Sequence, residues 1–184
     1  MKLAKNLILA LTSTAILLGT NSFAEQVNAK QIVIKSDEIN ILADIAVIDK
    51  TEILLATVAS NKKSSADVID FAKLMIDQHG SNLTQLLEIA NSQHVASLSS
   101  NESNKLNAQG NQAMMKLGGL KGDQFDKEYI DAMVKGHQDA LDLIDNHLMK
   151  EAKTETIKNF LSDTRAVVAQ HLEHAKKLQE NMKS

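Results

Sequence analysis

Proline is absent from all 184 residues of this sequence, and no other feature restricts the possible folds so strongly. Average usage of roughly 5% would give about nine prolines, and proline is the residue that most effectively ends or kinks a helix. Hydrophobic residues make up 43% of the chain and charged residues 23%, which is ordinary globular usage and enough to form a core. The sequence therefore predicts an all-α protein of long, uninterrupted helices.

The composition also excludes classes of partner. Aromatic residues make up only 3% of the chain, which argues against a β-sandwich and against a stacking platform for single-stranded nucleic acid. The 20 basic and 23 acidic residues give a net charge of -3, so the chain lacks the electrostatic footprint of a DNA- or RNA-binding protein. We therefore expect no nucleic-acid partner.

The first 24 residues have the pattern of a secretory signal peptide. Lys2 and Lys5 precede an apolar run of 12 residues at 7–18, and Ser22-Phe23-Ala24 then places small residues at the third and last positions before the predicted cut. The apolar run is shorter than the roughly 20 residues that span a bilayer. We therefore predict cleavage after Ala24, a periplasmic location and no transmembrane helix in the mature chain.

Hydrophobic residues recur at spacings of three and four in four long segments, which is the pattern of amphipathic helices. Ser36 and Asp123 are predicted to cap the first and third of these helices, and Gly118-Gly119 to end a shorter helix between the second and third. The long helices are predicted at about 36–59, 64–93, 123–151 and 155–182, and the shorter helix at 101–117. Residues 25–35 are then an N-terminal tail, and residues 36–182 form one domain.

The lengths of the connections predict how the helices are arranged. Short turns join the first long helix to the second and the third to the fourth, so each pair is antiparallel. The 28 residues at 95–122 are long enough to cross the length of the domain, whereas a simple up-and-down bundle needs only a short link there. The sequence therefore predicts a ferritin-like four-helix bundle with a long crossover between long helices two and three.

One ionisable residue interrupts the apolar stripe of each long helix: Glu52, His79, His137 and His171. A carboxylate or imidazole in a core costs several kcal/mol unless it is hydrogen-bonded, paired or bound to metal. Helical bundles build metal sites by directing one such residue inward from each helix. Histidine nitrogens with a carboxylate suit zinc, copper or iron, so these four residues are the candidate metal ligands.

Positions along the helices indicate which of the four can meet. His137 and His171 lie 16 and 18 residues from a turn at residue 153, so a rise of ~1.5 Å per residue puts their depths within about 3 Å of each other. Glu52 lies 10 residues before a turn at residue 62 and His79 lies 17 after it, which separates their depths by roughly 10 Å. The three histidines are therefore the stronger cluster.

Two neighbouring residues are further candidates for this site. Asp49, one turn before Glu52, lies closer in depth to His79, and His174, one turn after His171, could extend the site. His94 and His147 lie near helix ends and are predicted to be solvated. The alternative to a metal site is a buried hydrogen-bond network or ion pair that fixes the register of the helices.

Several catalytic chemistries lack their motifs in this sequence. No Glu-x-x-His pair occurs on the predicted helices, which disfavours a carboxylate-bridged di-iron enzyme. No Cys-x-x-Cys-His occurs, which excludes covalently attached haem and leaves open only a non-covalent haem between His137 and His171. Phosphate-loop, G-x-S-x-G and H-E-x-x-H motifs are also absent. The sequence therefore predicts no catalytic residue and favours a protein that is not an enzyme.

Three segments, 71–79, 125–137 and 171–178, resemble the signature stretches of an uncharacterised family of exported bacterial proteins, a domain of unknown function often labelled "predicted outer membrane protein". The patterns FAxxMxxxH, FDxxYxxxMVxxH and HxxxAxxL occur here in that order. The resemblance extends from about 36 to 182, implies a ferritin-like bundle of unsettled activity, and matches the positions of Glu52, His79, His137 and His171. Family members usually carry Asp immediately before the first histidine, where this chain has Gln78.

Two functions follow from these observations. The first is an exported bundle that binds a transition metal through its core histidines and serves in metal handling or stress protection. The second is a non-enzymatic structural or interaction bundle whose core histidines form a hydrogen-bond network.

Overall fold

The structure is a computed structural model that describes residues 34–183. Within this range the chain forms helices and no strand, which confirms the all-α prediction. Five helices are present: α1 (Ser36–Asn61), α2 (Ala66–Ser92), α3 (Asn101–Gly118), α4 (Gly122–Leu143) and α5 (Glu155–Asn181). None of them combines the length and the apolar character that a membrane span requires. The predicted signal peptide and all but the end of the predicted tail lie outside the described residues.

The helix ends depart from the sequence prediction at three places. Lys35, and not Ser36, is the N-cap of α1, because the Glu38 carboxylate accepts the Lys35 N–H at 3.0 Å. Helix α4 begins at Gly122, whose φ of +55° favours glycine, so Asp123 lies in the first turn and does not cap the helix. Helix α4 is followed directly by a π-helical turn, Ile144–Leu148, and a single α-helical turn, Met149–Glu151.

Helix packing follows the lengths of the connections. Helix α1 packs along α2, and α4 packs along α5, with turns of only a few residues inside each pair. The two pairs meet where α2 packs against α5 and where α1 contacts α4. Helix α3 occupies the long connection and packs mainly against α1, so this connection is a structural element of the fold and not a bare loop.

Two buried carboxylates on α1 hold connections in place. The Glu38 carboxylate accepts hydrogen bonds from the Lys153 N–H at 2.9 Å, the Thr154 N–H at 2.7 Å and the Thr154 hydroxyl at 2.9 Å, which fixes the turn before α5. Asp44 accepts the hydroxyl proton of Ser100, the N-cap of α3. Both carboxylates therefore connect the first half of α1 to the start of another helix.

The core consists of two apolar clusters, one toward each end of the helices. The first contains these buried residues: Leu55, Ala56, Ala59, Val68, Phe71, Ala72, Met75, Leu117, Phe125, Tyr129, Ile130, Met133, Ala175 and Leu178. The second contains these: Ile34, Ile41, Leu42, Ile45, Ala46, Leu86, Ala90, Ile144, Leu148, Ala152, Ile157, Phe160 and Leu161. Along the long helices the two sets are separated by an interval, and several buried polar residues of the core lie in it.

Candidate metal site

A layer of buried or half-buried polar side chains lies between the two apolar clusters. We call it the polar layer, and its members are Asp49, Glu52, His79, Asn82, His137, Thr164 and His171. The helical repeat explains the layer: each of its residues lies three or four positions from a residue of one of the apolar clusters, so it shares that residue's face of the helix. All four residues that the sequence singled out as metal ligands belong to it.

The structure brings the three histidines together. Their ring centroids lie 5.6 Å apart for His79 and His137, 5.0 Å for His79 and His171, and 5.3 Å for His137 and His171. Their exposed fractions are only 3%, 2% and 1%. Three imidazoles from α2, α4 and α5 therefore share one enclosed place in the core.

One nitrogen of each imidazole ring is held by a hydrogen-bond acceptor. His79 Nδ1 lies 2.8 Å from Asp49 Oδ1, and His137 Nδ1 lies 2.8 Å from the Met133 carbonyl oxygen. His171 Nε2 lies 2.6 Å from Gln78 Oε1. Because each partner atom is an acceptor, each of these nitrogens is the one that donates a hydrogen, and in a neutral ring the lone pair is then on the other nitrogen.

The other nitrogen of each ring is buried without a hydrogen-bond partner. These atoms are His79 Nε2, His137 Nε2 and His171 Nδ1, and all are buried. One ligand atom per histidine lies within 4.8 Å of the other two, so some point is within about 2.8 Å of all three. Zinc–nitrogen bonds are about 2.0–2.1 Å long, so an inward movement of about 0.7 Å per ring would complete the contact.

Burial favours the neutral form of two of the imidazoles, those of His137 and His171. Desolvation lowers the pKa of His137, although the nearby Glu52 carboxylate raises it in part. Desolvation, with the neighbouring His79, His137 and His174, lowers the pKa of His171 to about 3. Neutral imidazole is the form that binds a metal, so these two rings keep their lone pairs available at neutral pH.

Glu52 lies at the edge of the cluster, beside α4. Its side chain is 6% exposed, and its Oε2 atom has no hydrogen-bond partner. A Cβ atom placed on Gly136 would lie 3.2 Å from Glu52 Oε1, so the absence of a side chain at Gly136 gives the carboxylate its room beside His137. The turn between α1 and α2 is centred slightly after residue 62, so Glu52 and His79 differ in depth by about 6 Å, less than the sequence predicted. The long Glu52 side chain reaches toward His137 on α4.

Asp49 supports His79 from behind. Besides the His79 ring, it accepts a hydrogen bond from Asn82 Nδ2 at 2.9 Å, and Asn82 Oδ1 lies 2.8 Å from the Thr164 hydroxyl. A carboxylate behind a metal-binding imidazole orients the ring and raises its basicity. Asp49 therefore positions His79 and does not itself face the centre.

The remaining histidines lie outside the cluster. His174 is exposed, and its ring packs edge-on against Phe71 with a centroid distance of 5.0 Å. His94 and His147 are exposed, as the sequence predicted. The cluster thus contains three of the chain's six histidines, His79, His137 and His171.

Sequence reasoning missed four polar residues around the site. Asn82 follows His79 by three positions and Thr164 precedes His171 by seven, so both share a helix face with a candidate ligand, and this spacing is the signal that could have identified them. Gln78 was noted only as a departure from a family pattern, yet it holds His171. Tyr129 is fully buried with an unpartnered hydroxyl, and desolvation followed by the Glu52 charge raises its pKa.

The lowered imidazole pKa values predict acid destabilisation of the metal-free protein. An unfolded histidine takes up a proton near its ordinary pKa of 6.5, whereas His171 in the fold does so only near 3, so stability is complete above 6.5 and is lost as the pH falls toward the folded value. Each titrating histidine should cost about 1.4 kcal/mol per pH unit in this window. Denaturant unfolding between about pH 4.5 and 6.5 measures the slope, which should be smaller for His171→Leu and unchanged for His94→Ala. Equal slopes for wild type and His171→Leu would contradict the prediction.

Comparison with known proteins identifies a family. No curated protein and no solved structure matches the chain. A family model described as "Domain of unknown function (DUF4142)" matches residues 23–178, which is most of the chain and includes α1 to α4 and nearly all of α5. The chain therefore belongs to the DUF4142 family.

Proposed function

We propose that this protein is an exported, ferritin-like helical bundle that binds one transition metal ion through His79, His137 and His171, with Glu52 as the fourth ligand. Its role would be metal handling or stress protection, without catalytic turnover. The proposal is carried by one observation: three clustered imidazoles from three helices each keep one buried nitrogen without a partner, while the other nitrogen of each ring is held by a hydrogen bond.

The donor set favours zinc, copper or iron. Three neutral imidazoles and one carboxylate provide three nitrogens and one oxygen, a set of intermediate softness that suits these metals better than magnesium or calcium, which prefer oxygen ligands. The Asp49–His79 contact resembles the carboxylate–histidine pairs that orient metal ligands. Zinc is therefore the first metal to test, followed by copper and iron.

The wider setting is part of the same proposal. Two antiparallel helix pairs with a long connection between them support the ferritin-like arrangement, in which metal ligands project inward from facing helices. Export to the periplasm rests on the signal-peptide pattern that ends at Ala24. A protein placed there would meet metal ions arriving from outside the cell.

The competing function is a structural bundle in which the histidines form a closed hydrogen-bond network. Such a network would satisfy both nitrogens of each ring, since unpartnered buried polar atoms are costly. Here one nitrogen of each ring has no hydrogen-bond partner, and neither does Glu52 Oε2. The metal proposal accounts for all four atoms, and the network does not.

Metal titration tests the proposal directly. Mature protein, freed of metal by a chelator, should bind one equivalent of Zn²⁺ in calorimetry, and metal analysis after dialysis should find one ion per chain. His94→Ala, which removes an exposed histidine, should bind the same amount. Failure of zinc, copper and iron alike to bind at one equivalent would reject the proposed function.

Asp49→Asn is expected to weaken metal binding while preserving the fold. The amide retains the shape of the carboxylate but removes the charge that orients His79, and loss of such a partner typically lowers metal affinity by about 10–100-fold. Competition with a chelator of known affinity measures the change, and helical circular dichroism checks the fold. An unchanged affinity would show that His79 is not a ligand or does not depend on Asp49.

A further inference from the structure

A groove of about 740 Å³ lies between α1, α3 and α4, beside the histidine cluster. Small residues line it: Gly110 and Ala113 on α3, and Ala132, Gly136 and Ala140 on α4. The α4 residues recur every four positions and therefore line one face of that helix. None of the three clustered histidines lines the groove, but Glu52 does.

Glu52 separates the groove from the histidine cluster. Its carboxylate lies beside Gly136, which also lines the groove, and its charge acts on His137 at the centre of the cluster. Glu52 is only 6% exposed, and its Oε2 atom has no hydrogen-bond partner. An unpartnered carboxylate at the base of a groove is a binding group for a cation arriving from that side.

The charges around the groove favour a cation over an anion. Four carboxylates line it, those of Glu52, Glu102, Asp139 and Asp142, against two lysines. Ion pairs join Lys135 to Asp139, Lys116 to Glu128 and Glu102 to Lys105, which leaves Glu52 and Asp142 as the lining carboxylates outside these pairs. A cleft with an excess of negative charge raises the local concentration of cations and speeds their association.

We propose that this groove is the access route by which a divalent cation reaches the three histidines, and that Glu52 is the first ligand it meets. The inference rests on the proposed metal site, since it assigns a path to that site. Because the histidines are enclosed, an ion needs a path to reach them, and the small residues Gly136 and Ala113 keep this groove open. The histidines then bind the ion as well, beginning with His137, and Glu52 stays bound as the fourth ligand.

Two substitutions that narrow the groove test the route. Gly136→Ala places a methyl group against Glu52, and Ala113→Leu enlarges a residue that lines the groove on α3. Binding of Co²⁺, followed by its absorbance after rapid mixing, should be slowed at least about tenfold in each variant, because the ion must then wait for the groove to open. The equilibrium affinity for Zn²⁺ should change much less than the rate in Ala113→Leu.

Matched controls are available on α2 and α5, at residues that do not line the groove. Gly80 is also next to a clustered histidine in a helix, but a Cβ atom there would meet nothing within 4 Å, so Gly80→Ala should load at the wild-type rate. Ala169→Leu fills a shallow surface beside His174 on α5 and should also leave the rate unchanged.

The outcomes separate the two proposals. If the wild-type protein binds neither Co²⁺ nor Zn²⁺, the metal site itself fails, and the access route fails with it. If the wild type binds and Ala113→Leu and Gly136→Ala load at its rate, only the access route is overturned. A slow Ala169→Leu with a fast Ala113→Leu would overturn it too, by placing the path on the α5 side.

Discussion

Replacing His137 with leucine should abolish the rise in melting temperature that zinc gives the wild-type protein. A ligand that binds only the folded state at 1,000 times its dissociation constant stabilises that state by about 4 kcal/mol. For a chain of this length each kcal/mol shifts the melting temperature by about 2–4 °C, so the wild-type rise should be about 8–16 °C. His137 supplies one of three converging nitrogens, and leucine offers no ligand atom.

The metal-free His137→Leu protein should be about as stable as wild type or more stable. His137 Nε2 is buried without a partner, and an apolar side chain removes that cost, although the hydrogen bond to the Met133 carbonyl is also lost. Thermal melts with zinc and with chelator measure both effects, with His94→Ala as the matched control. A variant that keeps its zinc response, or one that is severely destabilised without metal, would favour the hydrogen-bond network instead.

The helical architecture was largely predictable because it depends on periodicity and on chain breaks. The recurrence of apolar residues at three and four positions determined which segments became α1, α2, α4 and α5, and the crossover helix at 101–117 corresponds to α3, Asn101–Gly118. The π-helical turn Ile144–Leu148 was not predicted, because it inserts one residue into the helical hydrogen-bond pattern without a composition signal such as proline. Helix starts were less predictable. Glu38 makes Lys35 the N-cap of α1 in place of Ser36, and α4 starts at Gly122, before the expected cap Asp123.

The candidate site was predictable only in its inward-facing half. Glu52, His79, His137 and His171 could be identified because each interrupts an apolar stripe, and that signal lies within a single helix. The groups behind the rings could not be identified in the same way, because Asp49 and Gln78 hold residues of other helices, 30 and 93 positions away in sequence. Such contacts depend on how the helices are rotated and packed, which a periodicity in one segment does not specify.

Gln78 illustrates what a family pattern adds and what it leaves open. The resemblance noted in the sequence implies aspartate immediately before the first histidine, whereas this chain has Gln78. In the structure the amide oxygen of Gln78 accepts the proton of His171 Nε2 at 2.6 Å, so a neutral acceptor holds this ring. The acceptor fixes the tautomer as a carboxylate would, but it adds no negative charge beside the cluster.

Replacing Glu38 with alanine is the substitution expected to destabilise the fold most without affecting metal binding. Glu38 is fully buried and accepts hydrogen bonds from Lys35, Lys153 and Thr154. Hydrogen bonds to a charged group contribute about 1.5–3 kcal/mol each and are not additive, so we expect a loss of about 3–4 kcal/mol. At about 2–4 °C per kcal/mol the melting temperature should fall by about 6–16 °C.

The zinc response separates this effect from damage to the site. Glu38 lies 14 residues before Glu52, about 21 Å along α1, so Glu38→Ala should keep the wild-type rise in melting temperature with zinc.

Burial would raise the pKa of Glu38, but the hydrogen bonds from Thr154, Lys35 and Lys153 outweigh it and lower the pKa below its ordinary 4.5. Its contribution is therefore present above pH 4.5 and is lost as the pH falls through the folded value, so the wild type and Glu38→Ala should converge in stability in acid. Asp37→Ala, an exposed neighbour in the same turn, should change stability little, and an equal loss in both variants would assign the effect to the helix terminus and not to the buried hydrogen bonds.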